Sequence, residues 1–295
     1  MKLGFIGLGV MGAPMAAHLV AAGHDVSGYD VTPAAGEKLE AAGGRAAKGV
    51  ADAVAGADVV ITMLPDHPQV EAVVLAAGGV LDTASPGTLL IDMSTIRPET
   101  SIKVANVARD KRIRVLDAPV SGGQAGAEQA SLSIMVGGSG EDFAAAKPVL
   151  DAVGKTIVHV GPHGAGQVVK AANQLVVGGI YGLVAEAIVL LEASGVDAAT
   201  GLDVLAGGLA GSRILELKRQ SMVDRRFAPG FRIDLHHKDM GIALAAAQQA
   251  DVALPLTGLV AQLVAAGRAM GYGSLDHSAL LKVVEQLSGR VPAEV

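Results

Sequence analysis

Six residues near the start of the chain, Gly7-Leu8-Gly9-Val10-Met11-Gly12, have the types and spacing that cradle a pyrophosphate. Gly7 permits a tight turn, Gly9 lets the backbone approach a phosphate, and Gly12 allows the following helix to pack closely on a sheet. Free N–H groups at that helix's N-terminus then face the anion. The alternative is a merely structural glycine turn. Asp30 stands at the end of the next strand, where an acid can bond an adenosine ribose 2′-hydroxyl and repel a 2′-phosphate. Val31-Thr32-Pro33 follow without an Arg, so NAD(H) is favoured and NADP(H) is the alternative cofactor. Asp30 could instead cap the helix after Pro33, and Lys38 could meet a phosphate. Met63-Leu64-Pro65 and Thr95 end two later strands, where open α/β sheets bind ligands. For Ser94 or Thr95, capping of the helix begun near Pro98 is the alternative role.

A nicotinamide cofactor implies hydride transfer, which needs a proton donor for the carbonyl oxygen and, for a small anion, a carboxylate pocket. The chain has no Cys, and His236 and His237 are adjacent, so they cannot share a helix face as metal ligands. The chemistry must therefore come from Lys, Ser, Asn and backbone N–H groups. Lys170 and Asn173 lie three apart in an otherwise apolar helical stretch and project from one face. Lys170 could protonate the developing alkoxide while Asn173 orients the substrate; a snorkelling Lys and a packing Asn are the alternative. Ser121-Gly122-Gly123 offer a hydroxyl and exposed N–H groups to a carboxylate, or form a plain turn. Lys238, beside Asp239, could close over the nicotinamide region or sit in a solvated ion pair. Arg213, Arg225 and Arg232 could meet an anion, but no spacing supports it.

The elements that must position these residues alternate through the first half. Strands are expected at Lys2 to Ile6, Asp25 to Tyr29, Val59 to Met63, Leu89 to Asp92, Arg114 to Asp117 and Ser131 to Val136. Helices are expected between them: Ala13 to Ala22, Ala34 to Ala42, Pro68 to Leu75, Pro98 to Asp110 and Glu141 to Val149. This alternation predicts a mostly parallel sheet covered on both faces. After Gly161-Pro162-His163-Gly164-Ala165-Gly166 the pattern becomes helical: one long helix from Gln167 to about Ala193, then helices near 198–206, 212–221, 235–250, 255–270 and 278–288. The expected fold class is α/β, an N-terminal Rossmann-type doubly wound sheet followed by an all-helical C-terminal domain. The expected domains are 1–162, binding the dinucleotide, and 163–295, serving substrate and oligomerisation. A cleft between two such domains is the expected place for a small ligand.

Composition narrows the function further. Aromatic residues are only 2% of the 295 and Trp is absent, so bases would find few stacking platforms. The net charge is −6 with no long basic run, which argues against a general phosphate-backbone binder. No nucleic-acid partner is expected. The apolar stretch Leu175 to Leu191 is interrupted by Gly and carries Glu186, so it reads as a buried helix rather than a membrane span. No signal-peptide arrangement precedes the first strand, and the absence of Cys fits a reducing compartment, so the expected location is cytoplasmic.

Taken together, four segments in order resemble the β-hydroxyacid dehydrogenase family, which includes 3-hydroxyisobutyrate dehydrogenases, over nearly the whole chain. They are Phe5 to Gly12, Ile61-Thr62-Met63-Leu64-Pro65, Asp117-Ala118-Pro119-Val120-Ser121-Gly122-Gly123, and Gly164-Ala165-Gly166 with Lys170 and Asn173. Further segments, Gly207 to Ser212, Pro229 to Asp239, Leu254-Pro255-Leu256-Thr257 and Asp276 to Leu280, are similar to the tartronate semialdehyde reductase branch. The resemblance implies that Lys170 is the acid/base and that Ser121, Gly122, Gly123 and Asn173 hold the substrate. It also implies that Lys238 lies by the cofactor and that Thr95 and the Leu64-Pro65 corner line the nicotinamide side. The implied reaction is reduction of 2-hydroxy-3-oxopropanoate to D-glycerate; 3-hydroxyisobutyrate oxidation and glyoxylate or other semialdehyde reduction use the same chemistry. Homodimers or homotetramers are implied as well. Relatives often carry Arg directly after the acid at the second strand, where this chain has Val31.

Overall fold

The computed structural model describes residues 1–290, which divide into two compact units, Met1–Lys170 and a second beginning at Ala171. Nine strands form one sheet in the first unit. They are β1 (Lys2–Ile6), β2 (Asp25–Tyr29), β3 (Arg45–Ala46), β4 (Val59–Thr62), β5 (Leu89–Asp92), β6 (Arg114–Asp117), β7 (Val120–Ser121), β8 (Leu132–Gly138) and β9 (Gly154–Gly161). The order is β3-β2-β1-β4-β5-β6-β8-β7, with β9 paired to β8. From β3 to β6 all pairs are parallel, as the alternation predicts. Beyond β6 the sheet departs from that expectation. β8 runs antiparallel to β6, β7 runs antiparallel to β8, and β9 returns parallel to β8.

Period-two alternation explains how the central strands bury both faces. Leu3 and Phe5 of β1, Val59 and Ile61 of β4, and Leu89 and Ile91 of β5 enter one apolar cluster. The intervening Val60 and Leu90, together with Ile6, enter the other. The helices of this unit are α1 (Gly12–Ala21), α2 (Pro33–Ala41), α3 (Val50–Val54), α4 (His67–Val74), α5 (Val80–Thr83), α6 (Pro98–Asp110), α7 (Gly123–Glu128) and α8 (Gly140–Leu150). Pro falls within the first two positions of α2, α4 and α6, where its missing N–H costs nothing.

Helix α9 (Ala165–Ala193) begins in the first unit and continues through the second. The second unit adds α10 (Ala198–Gly207), α11 (Arg213–Val223), α12 (Ile233–Gln249), α13 (Pro255–Gly267) and α14 (Leu280–Leu287). Apart from one isolated bridge between Arg232 and Asp276, its described residues form helices joined by loops, with no strand. The predicted helix from Pro255 to Met270 ends its regular turns at Gly267 and passes into a π-turn at Arg268–Tyr272, where Gly271 has φ +86°. The 29 residues of α9 are long and apolar enough to cross a membrane by length and composition, and its Val176, Leu183 and Leu190 are exposed, which corrects the expected buried helix to one buried over part of its surface. Folded, its Tyr181, Val184, Ala185, Ile188 and Val189 are core side chains of the second unit, packed in one cluster with Leu202, Leu215 and Val264. Asp276, from the segment Asp276 to Leu280, accepts from the N–H groups of Gly230 and Phe231 at 2.9 and 3.1 Å and pairs with Lys218 at 3.0 Å. Arg225 binds Glu192 at 2.7 Å and Glu285 at 2.8 Å, so this arginine ties α9 to α14.

Candidate functional site

The site begins at the β1–α1 turn. Gly7 has φ +97°, and a Cβ there would lie 2.3 Å from the Met63 carbonyl oxygen. A Cβ on Gly12 would lie 1.8 Å from the Gly7 carbonyl oxygen, so helix and strand meet at a distance only glycine allows. Gly9, by contrast, faces open space, with nothing within 4 Å of its ideal Cβ. The first turn of α1 carries no acidic residue and no side-chain cap; Ala13 and Met15 N–H donate to the Gly9 and Met11 carbonyls and Pro14 has no N–H, so an anion would meet the N–H groups of the Gly9–Gly12 turn itself. Beside this turn lies a cleft of about 430 Å³ lined by Leu8, Gly9, Asp30, Thr32, Lys38 and Gln124, among others. The Asp30 carboxylate accepts from the N–H groups of Leu8 and Thr32, each at 2.8 Å, so it is fixed in the lining of the cleft. Helix α2 has Thr32, not Asp30, at its N-cap. Open space at Gly9, uncapped N–H groups and a fixed ribose-side acid fit the pyrophosphate and adenosine of a dinucleotide.

At the carboxyl ends of β4 and β5, polar side chains knit the loops together. Leu64 N–H donates to Ser94 Oγ at 2.9 Å, and the Leu64 side chain lies beside Gly7. Arg97 is at the N-cap of α6, so neither Ser94 nor Thr95 caps it. Asp92 is buried, accepts from Thr62 Oγ1 at 2.8 Å and Ser94 N–H at 3.2 Å, and has an Oδ2 with no hydrogen-bond partner among the described residues. Burial pushes its carboxyl up to about 6, against the pull of Ser94 and Thr62 and with a contribution from Asp117. Because the folded-state value lies above the ordinary 3.8, Asp92 favours the fold while protonated. That contribution is fully present below about pH 4 and is lost as pH rises through about 6. Asp92→Asn is therefore expected to gain on the parent protein by up to about 3 kcal/mol between pH 4 and pH 8. Thermal unfolding at both pH values measures this, and a stability difference independent of pH would overturn it.

Asp117, at the end of β6, is held by the start of α9. Its Oδ1 accepts from Gly164 N–H at 2.7 Å and its Oδ2 from Gln167 N–H at 3.1 Å. Burial raises its carboxyl above the usual range despite these bonds. The capping anchors the first turn of α9 to the sheet. One turn later, Lys170 is buried at 6% exposure, and its Nζ donates to the Val120 carbonyl at 2.7 Å. Ser121 follows directly and ends β7. Gly122 and Gly123, at φ +138° and +60°, turn the chain into α7. The first unit thus brings Lys170 next to the strand that carries Ser121. Gln167, fully buried, donates through Nε2 to the Ser94 carbonyl at 2.8 Å and accepts Ile96 N–H on Oε1 at 3.1 Å.

In the second unit, Asn173 Nδ2 donates to Gln174 Oε1 at 2.8 Å, and Gln174 Nε2 donates to Asp239 Oδ2 at 2.6 Å. Lys238 Nζ lies 3.1 Å from Asp239 Oδ1; their side chains are 18% and 2% exposed, so this ion pair is sunk rather than solvated. Asn173 and Lys238 are thereby linked through Gln174 and Asp239. Among the described residues no group of three or more His, Cys, Asp or Glu side chains could hold a metal ion. Sequence reasoning gave no role to Asp92, Gln167 or Gln174. Their signal was a polar side chain in an apolar strand or helix, and their partners lie 30 to 73 residues away.

Comparison with known proteins agrees with this architecture. Residues 2–161 match the family model described as the NAD binding domain of 6-phosphogluconate dehydrogenase. Residues 164–284 match the model described as NAD-binding of NADP-dependent 3-hydroxyisobutyrate dehydrogenase. A 2-(hydroxymethyl)glutarate dehydrogenase of Eubacterium barkeri is 42% identical over 98% of this chain and 96% of its own. A 2-hydroxy-3-oxopropionate reductase of Escherichia coli (strain K12) is 40% identical over 98% of each. The solved structure of a Mycobacterium tuberculosis 3-hydroxyisobutyrate dehydrogenase with L-serine superposes with a TM-score of 0.87 at 38% identity, covering 96% of this chain and 98% of that one. The narrower tartronate semialdehyde branch is not set apart by these likenesses. With both halves matched and relatives aligned nearly end to end, the chain belongs to the NAD-binding 3-hydroxyacid dehydrogenase superfamily and is an NAD(P)-dependent oxidoreductase.

Proposed function

We propose that this enzyme interconverts acids of the form HOCH2–CHR–COO⁻ with the semialdehydes OHC–CHR–COO⁻. The compounds in the relatives' names, 2-(hydroxymethyl)glutarate, 3-hydroxyisobutyrate, L-serine and the alcohol of 2-hydroxy-3-oxopropionate, share that core and differ only in R. The observation that carries the reading is the buried Lys170, held 2.7 Å from the carbonyl of the residue preceding Ser121. A bound nicotinamide would supply the hydride acceptor for oxidation of the terminal carbon and the hydride donor for its reduction. Lys170 accepts the hydroxyl proton in oxidation and returns it in reduction. Ser121 and the N–H groups of Gly122 and Gly123 hold the carboxylate, and Asn173 orients the substrate. Methylmalonate semialdehyde and 2-hydroxy-3-oxopropanoate are the two reductive substrates to compare first, the 3-hydroxyisobutyrate pair leading and the tartronate pair second. Initial rates with each, using NADH and NADPH, test the proposal. Turnover of at least one would support it; no turnover of either, nor of L-serine or 2-(hydroxymethyl)glutarate in the oxidative direction, would overturn it.

NAD(H) is the cofactor we favour, because the fixed Asp30 carboxylate repels a 2′-phosphate and Val31 offers no cation to it. Asp30→Ser combined with Val31→Arg is expected to move the ratio of kcat/KM for NADH over NADPH by about 100-fold toward NADPH. Lys38 lines the same cleft and would add to the effect. An unchanged ratio would remove Asp30 from cofactor selection.

A further inference from the structure

Gln167 joins three parts of the first unit that differ widely in sequence position. Its backbone N–H is held by Asp117, its Nε2 donates to the Ser94 carbonyl at 2.8 Å, and its Oε1 accepts from Ile96 N–H at 3.1 Å. The side-chain amide therefore brackets Thr95 from both sides. Through Ser94, whose Oγ accepts from Leu64 N–H at 2.9 Å, the same clamp reaches the Leu64-Pro65 corner. Gln167 precedes Lys170 by three residues, one helical turn on the same face of α9.

The strand order says what this clamp faces. The adenosine cleft with Asp30 and Lys38 adjoins β2, on one side of β1. Strands β4 and β5 follow on the other side. A dinucleotide clasped at the β1–α1 turn with its adenosine in that cleft must carry its nicotinamide half over the carboxyl ends of β4 and β5. Those ends are the loops that Gln167 ties down. We propose that Gln167 is a positioning residue whose amide, by clamping the Ser94–Ile96 loop to the turn before Lys170, sets the nicotinamide in register with the proton-transferring lysine. The polarity is specific to an amide. A carboxylate would face the Ser94 carbonyl with a second acceptor, and Met would fill the volume while pairing with neither group. The role rests on Lys170 being the acid/base, because the register matters only against a reacting group; a misplacement of about 1 Å at such a site costs about 100-fold in rate.

The experiment compares Gln167→Met with the parent enzyme, using Gln167→Glu as a second variant and Thr88→Val as a control. Thr88 is also buried in the first unit and donates to the Ala57 carbonyl, but at the opposite end of β5. Binding of NADH is followed by its own fluorescence, and binding of ADP-ribose, which lacks the nicotinamide, by calorimetry. For Gln167→Met the expected result is an NADH affinity about tenfold weaker with ADP-ribose affinity within twofold, a kcat lower by about 100-fold, and a KM for the acid nearly unchanged. The deuterium isotope effect from 4-deuterated NADH should rise as hydride transfer becomes limiting, and Thr88→Val should leave all of these as they are. Thermal unfolding of each variant confirms that it is folded; if Gln167→Met does not fold, Gln167→Glu is judged by the same NADH-to-ADP-ribose ratio. An unchanged ratio in a folded Gln167 variant, or an equal shift in Thr88→Val, would overturn the proposal. If none of the substrates is turned over, the proposed function fails, while the two binding constants still decide whether Gln167 seats the nicotinamide.

Discussion

Replacing Lys170 by Met is expected to lower kcat by about 10³-fold in both directions while leaving NADH affinity nearly unchanged. The side chain is buried at 6% exposure and its Nζ is held on the Val120 carbonyl, so it starts each turnover in a defined place rather than on a mobile surface arm. Met is one atom shorter but keeps the apolar stem, so the first turns of α9 keep their packing. What is lost is the proton carrier proposed for the reaction, and a 10³-fold loss corresponds to about 4 kcal/mol of transition-state stabilisation. The Val120 carbonyl also loses its donor, a cost to stability of about 1 kcal/mol. Steady-state rates, NADH titration and thermal unfolding together check the prediction. A fall of less than tenfold in a folded variant would mean that the proton travels by another group.

The second large effect separates two glycines of the same motif. Gly12→Ala is expected to destabilise the first unit by about 3 kcal/mol or more and to abolish tight NADH binding. Its Cβ would lie 1.8 Å from the Gly7 carbonyl oxygen, and that backbone is pinned because Gly7 N–H donates to the Tyr29 carbonyl at 2.9 Å. Helix α1 must move off the sheet, carrying its N-terminal N–H groups away from the phosphates. Gly9→Ala meets nothing within 4 Å, so its unfolding temperature should stay within about 2 °C of the parent. It should nevertheless weaken NADH binding about tenfold or more, since the added methyl occupies the space where a phosphate approaches the backbone. Equal destabilisation by both substitutions would contradict the distinct roles assigned to the two positions.

These expectations differ in how far they were legible beforehand. The glycine turn, the strands β1, β2, β5 and β6, and the span of α6 could be read to the residue, because each depends on contacts within a few positions: short apolar runs for the strands and a proline at the helix start. The expectation that Lys170 and Asn173 share a helix face needed only the helical repeat. The short strands β3 and β7 carry two residues each, too few for any periodicity. Strand β9 is a half-exposed strand whose Lys155, Thr156 and His159 interrupt the apolar pattern, so it gave no strand signal.

What the sequence by itself determined is therefore the local chemistry: a phosphate-binding turn, an α/β half followed by a helical half, and a lysine poised on a long helix. Only the tertiary structure decided the sense of β8 against β6 and the burial of the Lys238–Asp239 pair. It alone revealed the carboxylates of Asp92 and Asp117 in the interior and the amide of Gln167 spanning Thr95. The reason is one of range. Helix turns and strand alternation arise between residues at most four apart and leave a repeat along the chain. Gln167 meets Ser94 across 73 positions, and a hydrogen bond formed over that distance leaves no period in the sequence, only a buried polar residue whose partner the fold supplies.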